Sequence, residues 1–147
     1  MNNNSTFRFI LYTFFVAVFL NTCVTAAHIL TATEPHLLVP EFSFADSLYI
    51  IGLTLGLGIA IFAITCAVLY ISVIALSNMN KIKQFWILII IGVIVSVIAD
   101  HFINIPLAKY NNQTNWIALI AAFSIMVSLS SQYQFFLGES ESAWNEV

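Results

Sequence analysis

With 147 residues, 61% of them hydrophobic and 7% charged, the chain is too apolar to fold as a water-soluble domain. Soluble domains carry about 25% charged residues, and at this size much of their surface stays in water. Seven acids against four scattered bases give a formal charge of −3; no basic patch exists to neutralise phosphates, so nucleic acid is excluded as a partner. The expected fold class is all-α, a single polytopic transmembrane helical bundle in which membrane lipids replace water as solvent.

Four hydrophobic helices are predicted in chain order, over about 9–30, 48–76, 85–105 and 116–137. Each reaches the roughly 20 residues needed to cross a hydrocarbon core of about 30 Å. Helices are expected because backbone groups in hydrocarbon must bond within the chain, and the alternating pattern of barrel strands is absent. The first run also reads as a secretory signal. Arg8 precedes an apolar stretch from Phe9 to Leu20; Val24 and Ala26 suit a cut after Ala26, Thr25 and Ala27 one after Ala27. A retained anchor is the favoured reading, and cleavage would leave the later helices in the same orientation.

Pro35 and Pro40 separate the first two runs, and Asp46 and Ser47 offer capping oxygens for the second. At about 1.5 Å per residue the second run exceeds the core thickness, so tilt or an extension into the headgroups is expected. Asn78 to Lys81 reads as a polar turn, Pro106 as the end of the third helix, and Asn111 to Asn115 as a polar loop. Residues 139–147 form an acidic tail around Trp144, expected at the surface. Arg8, Lys81 and Lys83 fall on one side and Lys109 on the other, which places both termini in the cytoplasm by the positive-inside rule.

Small residues recur at helical spacing on three runs: Gly52, Gly56 and Ala60 on the second, with Ala63 and Ala67 following; Gly92 and Ser96 on the third; Ala121, Ser124, Ser128 and Ser131 on the fourth. Such stripes let backbones approach where lipid removes the hydrophobic drive for association. Closure within the chain is the first expectation for them, and an interface with a copy or a partner the second.

Polar residues gather on the outer side: His28, His36, Asp100 and His101, with Glu34, Glu41 and Asp46. Ordinary interfacial polarity explains them. The sharper reading is a metal or proton site, since imidazole is a common ligand that titrates near neutral pH. Neighbours on a helix point about 100 degrees apart; Asp100 shares a face with Ser96 and Asn104 and is the expected inward residue of the pair. No ligand spacing supports the site.

Cys23 and Cys66 match no zinc or redox motif and read as small hydrophobes toward opposite leaflets. Asn112-Gln113-Thr114 fits a glycosylation triplet. No nucleophile–base set, phosphate-cradling loop, mid-membrane acid pair or basic pocket for lipid phosphates is visible, so no cofactor is expected. Asn104-Ile105-Pro106-Leu107 and Trp144-Asn145 resemble short stretches of the anthrone-oxygenase-like four-helix membrane proteins. The resemblance covers a few residues, and Glu146 stands where that group has arginine, so no function is carried over. Three classes of function follow. The favoured one is a non-enzymatic protein acting through helix packing, such as an accessory subunit, assembly factor or immunity-type protein. The others are an oligomeric transporter or channel component, and a metal- or redox-dependent membrane enzyme using the outer histidines.

Overall fold

The computed structural model describes residues 3–31, 44–108 and 114–142. Among them are five helices and no strand: α1 Asn3–Thr31, α2 Phe44–Ala75, α3 Lys81–Ala108, α4 Thr114–Ser130 and α5 Tyr133–Ser142. Three are long and apolar enough to cross a membrane, over Ser5–Ala27, Ile51–Ala75 and Lys81–Ile103. The predicted loops carrying Pro35, His36 and Pro40 and carrying Lys109 to Gln113 lie outside the described residues, as does Trp144.

Two boundaries differ from expectation. α3 runs past Pro106 to Ala108; proline lacks an N–H, so one bond of that last turn is missing, yet the ring does not stop the helix. The fourth run, expected unbroken over about 116–137, divides at Ser131 and Gln132. The cause is side-chain competition for one carbonyl. Ser131 Oγ donates to Ser128 O at 2.8 Å, and Gln132 Nε2 approaches the same oxygen at 3.4 Å. The Gln132 backbone N–H instead bonds Leu129 O at 3.0 Å, a tighter i→i−3 step. The fourth apolar helix is therefore short.

α1 packs on α2 and α4, and α3 packs on α2 and α4, so the four long elements close a ring. The packing pairs run antiparallel. Ile10 meets Cys66 while Asn21 meets Gly58; Thr13 meets Ser128 and Phe9 meets Phe136. This is the up–down–up–down order that short connections permit.

The interior is layered. Near the α1 N-terminus lies an aromatic cluster: Phe136 stands 5.3 Å from Phe9 and 5.5 Å from Phe85 between centroids, with Tyr133 4.9 Å from Phe85. Lys81 Nζ sits 5.4 Å over the Phe136 ring, a cation–π contact at the mouth of the bundle. Above it come Leu69, Leu88, Ile125 and Leu129, all fully buried. The α2–α3 turn is fixed by two polar devices. Asn80 Oδ1 accepts from Ile82 N at 3.0 Å, capping α3, and Gln84 Nε2 donates to Val73 O at 3.0 Å, joining the two helices.

Candidate functional site

Among the described residues thirteen buried ones are polar or charged, and five of them, Thr13, Thr54, Thr65, Ser96 and Ser124, can be interior because their hydroxyls bond within their own helix. Thr13 Oγ1 donates to Phe9 O at 2.8 Å, Thr65 Oγ1 to Ile61 O at 2.9 Å and Ser124 Oγ to Ile120 O at 2.8 Å. Each uses a carbonyl that already serves the helix, so burial costs no orphaned donor.

Two hydrogen bonds reach α1 from α4 and the turn that follows it. Ser128 Oγ donates to the Thr13 carbonyl at 2.8 Å, and Gln132 Nε2 donates to Thr13 Oγ1. Thr13 thus receives both contacts, and its hydroxyl donates in turn to Phe9 O within α1. Close approach elsewhere depends on glycine. A Cβ at Gly92 would lie 3.1 Å from Leu129 Cδ1 and 3.4 Å from Ile125 Cγ1; at Gly58 it would lie 3.3 Å from Asn21 Nδ2. Gly92 sets the α3–α4 distance and Gly58 the α1–α2 distance.

Toward the other end, Asp100 is 2% exposed, Asn21 3% and Thr25 4%. Among the described residues Asn21 Oδ1 and Thr25 Oγ1 have no hydrogen-bond partner. Counting equal steps along antiparallel α2 and α3 from the Gln84–Val73 bond brings Asp100 to the level of Leu57 and Gly58, where Asn21 also packs. The bundle therefore holds a carboxylate and the Asn21 oxygen at one depth, with the Thr25 oxygen one turn further out. Two such acceptors suit a donor such as water.

The residues singled out from the sequence separate into groups. Gly92, Ser96, Ala121, Ser124 and Ser128 are buried between helices. Gly52, Gly56 and Ala60 are exposed, as are Ala63 and Ala67, and a Cβ at Gly52 or Gly56 would meet nothing within 4 Å. Closure within the chain, the first expectation for that stripe, does not apply to it. It occupies the face of α2 opposite Gly58, Ile61, Thr65 and Leu69, which point inward. Asp100 is inside and His101 outside, so α3 does not bring the adjacent pair together. His28 lies in α1 with its side chain outside the described residues, and His36 is outside them altogether. Among the described residues no group of three or more His, Cys, Asp or Glu could hold a metal.

Sequence reasoning missed Thr13, Asn21, Gly58 and Gln132. A signal was present for Gly58: it shares a face with Thr54 and Thr65, and hydroxyls on an apolar helix mark the side that packs against other helices. No known protein family, curated protein or solved structure matches the chain.

Proposed function

We propose that this chain is a small multi-pass integral membrane protein, with both termini in the cytoplasm, that acts by docking a helix of a membrane partner against α2. An accessory subunit, assembly factor or immunity-type protein works in this way. The observation that carries the reading is the outward ridge of Gly52, Gly56, Ala60, Ala63 and Ala67. Five small residues on one face leave a shallow trough flanked by exposed Ile59, Ile64 and Ile71, and such a face gains van der Waals contact from a neighbouring helix that lipid chains do not match.

Retention of α1 belongs to the same reading. Half of its apolar stretch is buried in the bundle, against 39% for α2 and 28% for α3, and its Thr13 receives the bonds from Ser128 and Gln132. Removing the first 26 or 27 residues would leave Ser128 Oγ without its acceptor and Gln132 Nε2 with only the 3.4 Å contact to Ser128 O. Native mass spectrometry from mild detergent tests both points. The expected result is a full-length chain bound to one stoichiometric partner or copy, with Gly52→Leu and Gly56→Leu releasing it. A chain that is monomeric in wild type, or an assembly those variants leave intact, overturns the docking role.

A second reading, an oligomeric transporter or channel component, is favoured by Asp100, since ionisable residues buried within apolar helices tend to line functional paths. Its test is solute or ion flux in liposomes, abolished by Asp100→Asn.

A further inference from the structure

A groove of about 290 Å³ opens between the start of α1 and the α4–α5 turn, lined by Arg8, Tyr12, Ser131, Gln132 and Phe135. From its lining we infer an anionic phospholipid site, with the phosphate on Arg8 and the first part of an acyl chain along Tyr12 and Phe135; the inference rests on the membrane reading above.

Three observations carry it. First, Arg8 is exposed and makes no hydrogen bond or ion pair with any described residue. It lies in the first turn of the Ser5–Ala27 span, where a bilayer presents its headgroups. A guanidinium there holds five donors in a planar fork that matches two phosphate oxygens. Second, the two side-chain donors that the α4–α5 turn brings to the groove are already engaged. Ser131 Oγ donates to Ser128 O, and Gln132 Nε2 donates to Thr13 Oγ1. Among the described residues no carboxylate lines the groove and Arg8 is its charged member, which favours an anion. Third, the walls beside Arg8 are apolar and reachable: Tyr12, one turn further along α1, is 53% exposed and Phe135 44%. A volume near the lower end of the about 300–1,000 Å³ usual for ligand sites takes a headgroup and the top of a chain, leaving the remainder in bilayer. Lys81 does not compete, being held over the Phe136 ring. The groove is invisible in the sequence because Arg8 and Phe135 stand at opposite ends of the chain.

The test is native mass spectrometry of the full chain in detergent, titrated with phosphatidylglycerol, with phosphatidylcholine of the same chains, and with inorganic phosphate. Wild type should retain one phosphatidylglycerol in preference to phosphatidylcholine. Arg8→Gln should lower that preference about fivefold, the worth of one cation at a lipid surface. Phe135→Ala should weaken both lipids alike, and Lys83→Gln should change neither. Thermal unfolding of Arg8→Gln at the wild-type temperature shows that the variant is folded. Equal retention of the two lipids by wild type, an unchanged preference in Arg8→Gln, or displacement of the lipid by inorganic phosphate alone would each overturn the site. A chain that is monodisperse in plain buffer would instead remove the membrane reading itself, so the two failures are distinguishable.

Discussion

The α3–α4 contact and the outer face of α2 are built from the same kind of residue and have opposite fates. At Gly92 the space of a Cβ is already taken by Leu129 and Ile125; at Gly52 and Gly56 it is empty. Glycine at helical spacing is therefore not a packing residue in itself. What distinguishes the two faces is the company they keep. Gly92 shares its face with Ser96 and Asp100, and the α4 residues that meet that face alternate with Ser124 and Ser128. The Gly52 stripe is flanked by exposed Ile59, Ile64 and Ile71.

The contrast breaks most severely through Gly92. Gly92→Leu should lower bundle stability by about 1–3 kcal/mol through overpacking, read by thermal unfolding in detergent, whereas Gly56→Leu should leave the monomer unchanged. Equal losses in the two variants would mean that the ridge is buried after all. The α1–α4 seam should be less costly. Thr13→Val removes the acceptor of Gln132 and should lose about 0.6 kcal/mol, reaching about 1.7 if the bond is among the strongest between membrane helices; a Thr13→Val/Gln132→Leu cycle isolates the coupling, and additive effects would argue against the bond. Least of all, His101→Ala should shift stability by no more than about 0.5 kcal/mol, as exposed positions do. Asp100→Ala should cost clearly more in the same unfolding assay, and a reversed order would put the histidine inside.

Much of the fold was legible because it depends on composition. Hydrocarbon-length apolar runs announce helices, and the runs from 9, 48 and 85 correspond to α1, α2 and α3 with ends that moved by several residues. The break in the fourth run was not legible. Ser131 and Gln132 compete for the Ser128 carbonyl, and nothing in hydropathy records which donor reaches it. The inward faces were legible only in part. Asp100 could be placed from Ser96 and Asn104 at helical spacing, whereas on α2 both faces carry small residues, and counting glycines chose the one that the bundle leaves open. Thr13 and Gln132 meet across 119 positions, a pairing that one sequence read alone does not encode.

That separation has a consequence for how the molecule is made. The α2–α3 hairpin has a five-residue connection, its own cap at Asn80 and its own staple from Gln84 to Val73, so it can mature as soon as its residues leave the ribosome; local contacts form fastest. The Thr13 carbonyl waits for Ser128, made 115 residues later. Until α4 is made the first helix is therefore held chiefly by α2, and α4 latches it from the other side.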